Sequence, residues 1–103
     1  MQLIMKYKIS KEALKDLENI WIYTFENWSV EQADRYYGLL IDEIEYVSEN
    51  PQSGKDYGHI REGYFRTRVK SHFIFYRANL KANVIEIIRV LHQQMDIDER
   101  LND

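Results

Sequence analysis

The chain contains no cysteine, which excludes disulfides, thiolate metal sites and cysteine nucleophiles together and suits a reducing cytosol. Its three histidines, His59, His72 and His92, stand far apart in sequence. No pair has ligand spacing such as i, i+4, so a zinc site is not expected. No nucleophile elbow, phosphate-cradling glycine loop or catalytic-triad signature is present, and no cofactor is implied. No apolar run approaches the roughly 18 residues of a membrane span. The N-terminus, MQLIMKYKIS, is too short and too quickly polar for a signal peptide, so the expectation is a cytoplasmic protein with no membrane contact. Proline occurs once and glycine four times. The proline and three of the glycines fall in PQSGKDYGHIREG, which reads as a surface loop and not as a domain linker.

What is present suits a packed globular fold. Hydrophobic residues make up 45% and aromatics 14% of the 103 residues, enough for one domain over 1–103 with a modest core. The net charge of -3 is unevenly spread. Residues 1–60 hold 6 Lys/Arg against 11 Asp/Glu, residues 61–94 hold 7 against 2, and residues 95–103 hold 1 against 4. A basic stretch beside acidic ones suits a surface that meets an anionic partner, or two halves that neutralise each other across the fold.

Along the chain, LIMKYKI (residues 3–9) alternates loosely as a short strand. Ser10 offers an N-cap with Glu12 in the first helical turn. Leu14, Leu17, Trp21, Thr24, Phe25 and Trp28 then form a helical stripe, and its tryptophans read as core ballast. SVEQ (residues 29–32) is a capping-box signature for a second helix, with a stripe of Ala33, Tyr37, Leu40, Ile44 and Val47. Asn50-Pro51 ends that helix, because a residue before proline is pushed out of the helical region. The linker between the helices is very short, which predicts an antiparallel hairpin. Asp42 and Glu45 on the second helix read as its wet face. Three strands follow at residues 64–70, 72–78 and 84–91, joined by hairpin-length turns. The polar, acidic tail DIDERLND suggests one helical turn. The reading is an α+β two-layer fold: N-terminal strand, antiparallel helical hairpin, then a three-stranded antiparallel meander.

Two helices can cover only one face of that sheet. By alternation, Phe65, Thr67 and Val69 face the helices, and Arg66, Arg68 and Lys70 face away. The same rule puts His72, Ile74 and Tyr76 opposite Phe73 and Phe75. In the last strand it puts Ile85, Ile87, Arg89 and Leu91 in one row, and Val84, Glu86, Ile88, Val90 and His92 in the other. The uncovered face becomes a mixture of cations, Tyr and branched aliphatics, poor as a solvated surface and good as a docking groove. The basic triplet taken alone equally suits a solvated strand face.

The runs SKEALKDLENIWIYTFENWSVEQADRYYGLL, ENPQSG, IREGYFRTRVKSHFIFYR and IEIIRVLHQQMD resemble the RelE/ParE toxin superfamily, in its ParE branch, over about residues 7–96. The resemblance implies the toxin of a type II toxin–antitoxin pair, joined in a hetero-oligomer with a ParD-like antitoxin. Such an antitoxin has a DNA-binding N-terminal domain and a flexible C-terminal segment that wraps the toxin. It would cover the second face of the last strand. ParE-type members poison DNA gyrase, whereas RelE-type members cut messenger RNA on the ribosome, and the shared fold does not separate them.

The residues lean toward the first branch. RelE-type enzymes carry two lysines on the first meander strand, where Arg66 and Arg68 keep the charge. The arginine of the following strand falls near Phe73 and Ile74 and is missing. The arginine after the last strand falls near neutral Gln93, and the base-stacking tyrosine has no counterpart in DIDERL. Phosphodiester cleavage would lack its cationic stabiliser and its stacking platform. The expectation is a gyrase poison without catalysis of its own. The alternatives are a ribosome-dependent endoribonuclease using Arg66, Arg68, Arg89 and His92, or a non-toxic antitoxin-binding relative. Antitoxin contacts are expected at Arg66, Arg68, Tyr76 and Ile88, and target inhibition at Arg89, His92 and Gln93. Arg89 could instead pair with a helix carboxylate such as Glu18 or Glu45.

Overall fold

The computed structural model of the chain describes residues 6–101. Strand β1 (Lys6–Ile9) leads into helices α1 (Lys11–Asn27) and α2 (Val30–Glu49). Residues 3–5 of the expected first strand lie outside the described residues. A 3₁₀ turn (Pro51–Ser53) and the short strand β2 (Lys55–Asp56) precede the meander strands β3 (Phe65–Val69), β4 (His72–Asn79) and β5 (Val84–His92), and helix α3 (Ile97–Leu101) follows them. Among the described residues the sheet has five strands in the order β1-β5-β4-β3-β2. The meander is antiparallel, while β1 runs parallel to β5. The loop stretch therefore contributes an edge strand, which its glycines and proline concealed.

Both helix starts follow from their serine caps. The Ser10 hydroxyl accepts from the Ala13 N–H at 3.0 Å, and the Ser29 hydroxyl accepts from the Gln32 N–H at 3.1 Å. Each satisfies one of the donors that a helix N-terminus leaves without a partner. Ser10 does more, because its hydroxyl also donates to the Ile88 carbonyl at 2.8 Å and its N–H bonds the Ile87 carbonyl at 3.0 Å. The first turn of α1 is thereby bolted to β5. That bolt sets the helix azimuth, so Ala13 and Leu17 are buried, with Ile20 packed against the core. The expected aromatic stripe is rotated out. Leu14, Phe25 and Trp28 are exposed, and Trp21 stacks on Phe25 and donates its indole N–H to Asp34. The α2 stripe stands as read, with Ala33, Leu40, Ile44 and Val47 buried.

The register of β5 departs from simple alternation. Phe75 pairs with Arg89 and Tyr76 with Ile87, which leaves Ile88 as the extra residue of a β-bulge. Past the bulge the faces exchange. Ile85, Ile87 and Val90 join Ile74 and Tyr76 under the helices, whereas Leu91 joins Phe75 on the opposite face. The expected rows of β5 and the outward placement of Ile74 and Tyr76 are both corrected. The second face is also not left bare. Leu101 of α3, Tyr64 and Leu91 are buried around Phe75, with Tyr57, Ile60 and Ile97 packed beside them. The chain's own loop and tail cover much of what alternation assigned to a partner.

Candidate functional site

On the face away from the helices, Arg66 and Arg68 stand two positions apart, across from Phe75 and Phe73. The Arg66 guanidinium carbon lies 4.2 Å from the centre of the Phe73 ring and 5.5 Å from that of Tyr57. Its stem covers apolar surface while its charge stays available. The Arg68 Nε donates to the Lys70 carbonyl at 2.6 Å, and an Nη donates to the Gln93 side-chain oxygen at 2.9 Å. Two residues expected in separate roles, Arg68 and Gln93, are thus one hydrogen-bonded unit. Ile88 is half-buried and packs against the cluster on this face.

Tyr76 does not belong there. It is wholly buried under the helices, and its hydroxyl donates to the Pro51 carbonyl and accepts from the Gly54 N–H, both at 3.0 Å. Gly54 is needed for this approach, since a Cβ at that position would run into the Tyr76 hydroxyl and the Arg66 carbonyl.

Arg89 and His92 lie in a different place. Arg89 forms a paired contact with Asp16 of α1, its Nε donating at 2.8 Å and an Nη at 3.0 Å. The helix partner is a carboxylate, as one reading allowed, but it is neither Glu18 nor Glu45. His92 meets His72 across the β4–β5 ladder, edge to face, with ring centres 5.2 Å apart. The Tyr36 hydroxyl donates to the Val69 carbonyl at 3.0 Å and lies 2.7 Å from His72 Nδ1. A phenol has a single proton, so neutral His72 holds its proton on Nδ1 and gives it to Tyr36. Burial pushes the His72 pKa down to about 4, helped by the neighbouring His92 and opposed by Asp16. Burial also raises the Tyr36 pKa.

These groups sit in a cleft of about 1010 Å³ between α1, the first half of α2 and the ends of β4 and β5. Its charged lining includes Lys15, Arg35, Lys70 and Arg100, with Tyr23 and Trp28 at one end. Arg66 and Arg68 do not line it. Of the basic set Arg66, Arg68, Arg89 and His92, the last two line the cleft and the first two stand on the face away from the helices. Among the described residues no group of three or more acidic or histidine side chains could hold a metal ion, and no helix is long and apolar enough to cross a membrane. The cleft escaped the sequence reading. Its signal was the line of α1 residues at 12, 15, 16, 19, 20, 23 and 24, where Glu12, Lys15, Asp16, Asn19 and Tyr23 replace the expected core pattern.

The model of the family described as ParE toxin of type II toxin-antitoxin system, parDE, matches residues 7–97. The chain belongs to the ParE toxin family. Toxin ParE1 of Caulobacter vibrioides is 42% identical over 90 residues, covering 87% of this chain and 91% of that protein. Toxin ParE1 of Mycobacterium tuberculosis is 38% identical over 96 residues, covering 93% and 97%. Among solved structures, a chain of the chromosomal ParDE system from P. aeruginosa superposes with a TM-score of 0.74 at 15% identity, covering 86% of this chain and 96% of that one. A chain of the RelBE2 toxin–antitoxin complex from Mycobacterium tuberculosis gives 0.66 at 19% identity, covering 89% and 94%. At those identities the superpositions establish the fold. The two-layer arrangement with its C-terminal meander is thus the one expected of a ParE toxin.

Proposed function

We propose that this ParE family toxin poisons DNA gyrase in the cytoplasm and is neutralised by direct binding of a ParD-like antitoxin, with residues 1–103 acting as one domain. The family match over residues 7–97 carries this reading. The division of the basic residues supports it, because Arg66 and Arg68 stand on the face opposite the cleft that Arg89 and His92 line. A ribonuclease would need these groups to converge on one phosphate. The antitoxin's flexible C-terminal segment is proposed to cross the face of Arg66, Arg68 and Ile88, where charge and half-buried apolar surface lie together. Target contact is proposed at His92 and Gln93, at the exposed end of β5.

Purified toxin incubated with gyrase and plasmid should block supercoiling or accumulate cleaved plasmid. The same toxin on programmed ribosomes should leave the messenger intact. Codon-specific cuts at sub-stoichiometric toxin would instead establish the ribonuclease alternative, and loss of both activities would mark a non-toxic antitoxin-binding relative.

A further inference from the structure

Leu14, Trp21 and Phe25, which the sequence placed in the core and the fold turned outward, belong to neither surface described above. Leu14, Glu18, Trp21 and Phe25 recur along α1 at the spacing of one helical face, and Val30, Asp34 and Tyr37 do the same along α2. The two lines meet in a shallow groove of about 520 Å³, lined by Leu14, Glu18, Trp21, Asp34 and Tyr37. Trp21 is fixed there. It stacks on Phe25 with ring centres 5.4 Å apart, and its indole N–H donates to Asp34 at 2.9 Å. Leu14 is 51%, Phe25 45% and Val30 44% exposed, so an ordered apolar strip stands open. Its surroundings are acidic. Helices α1 and α2 together carry ten carboxylates against three cations. Two of those cations, Lys15 and Arg35, line the cleft instead, and Lys11 stands at the start of α1. Glu18 and Asp34 are in the groove itself, and Glu26, Glu31, Asp42 and Glu45 are exposed on the same two helices.

Charge selects the occupant. Carboxylates repel phosphate, which disfavours nucleic acid and anionic lipid alike. A second copy placed by a two-fold axis would set the same acidic groove against itself. An acidic rim around aromatic and aliphatic anchors fits a cationic protein surface, and a protein that holds DNA presents such a surface to neutralise phosphates. We propose that the outer groove of the α1–α2 hairpin docks on a cationic surface of DNA gyrase, in addition to the contact at His92 and Gln93. The inference rests on the gyrase reading above and gives it a second, acidic docking face.

The test titrates full-length toxin onto purified gyrase holoenzyme. Leu14→Ser/Phe25→Ser removes two exposed apolar anchors, and Glu18→Lys reverses one charge in the groove. Melting temperatures check that both variants fold, and Glu18→Lys decides alone if the double variant melts early. The double variant should bind gyrase at least about tenfold more weakly. Glu18→Lys should bind at least about threefold more weakly, with a shallower salt dependence. Both should keep their affinity for the antitoxin within about twofold of the parent. If the parent binds gyrase and the folded variants bind it within about twofold of the parent, the hairpin face is overturned and the gyrase reading stands. If the parent neither binds nor inhibits gyrase, that reading fails and the inference falls with it. Unchanged gyrase affinity with lost antitoxin affinity assigns the face to the antitoxin and overturns the proposal.

Discussion

The Asp16 carboxylate holds Arg89 through two hydrogen bonds, at 2.8 and 3.0 Å, and takes the Val90 N–H as a third at 2.9 Å. One acidic side chain thus compensates a half-buried guanidinium and a backbone donor beside the bulge, and it joins α1 to β5. Replacing Arg89 by Leu would leave Asp16 short of its main partner. The expected cost is roughly 2–3 kcal/mol in urea unfolding, below that of a fully buried pair because both side chains keep some exposure. Unchanged stability with lost toxicity would mean that Arg89 serves the target and not the fold.

Folding stability should fall as pH drops from neutrality toward 4. The folded-state pKa of His72 is lowered to about 4, so between about 4 and its ordinary value of 6.5 the unfolded chain binds more protons. Stability therefore rises with pH across that window and levels off above it. Glu12, Lys15, Asp16, Tyr23, Arg35, Tyr36, Lys70, Arg89, His92 and Arg100 are the other charged or titratable groups lining the same cleft. His72→Asn keeps a donor toward Tyr36 without a titrating ring. Its urea midpoint should vary less between pH 4.5 and 7 than that of the parent, at intervals on the order of one unit; an identical slope would place the titrating group elsewhere.

Two glycine replacements should act in opposite directions. Gly54→Ala forces a Cβ against the Tyr76 hydroxyl and should cost about 1–3 kcal/mol, the usual effect of overpacking. Gly38 lies within α2 with open space where a Cβ would go. Gly38→Ala should stabilise by about 0.5–1 kcal/mol through helix propensity. Equal effects in thermal melts would contradict the close approach at Tyr76.

Arg68→Glu should weaken antitoxin binding by about 1–3 kcal/mol in calorimetry, a common loss for an anchoring charge. Since Gln93 holds the Arg68 guanidinium, Gln93→Ala should weaken the same complex to a smaller degree. His92→Ala, whose ring lines the cleft, should relieve growth arrest at equal expression; arrest as strong as the parent's would place the target contact elsewhere.

The helices, their serine caps, the stop at Asn50-Pro51 and the three meander strands were legible in the sequence, because caps, proline and the 3.6-residue period act within a few residues. Family membership was legible in the motif strands for a related reason, since HFIFYR and IIRVLH combine local strand propensity with a specific order of side chains. The sites were less so. Arg66, Arg68 and Ile88 fall on the face that alternation gave them, but Tyr76 does not, because burial of Ile74 and Tyr76 beneath α2 is decided by helix packing. The bulge at Ile88 reverses the faces of everything after it, and no period-2 pattern can announce one extra residue. The azimuth of α1 is likewise a tertiary matter. Ser10 and Asp16 bind β5 from more than seventy residues away, and that bolt turns Ala13 and Leu17 inward while the aromatics and Lys15 line open surface. Local hydrogen bonding and periodicity decide which elements form; contacts between distant residues decide which side of each element is left free to bind.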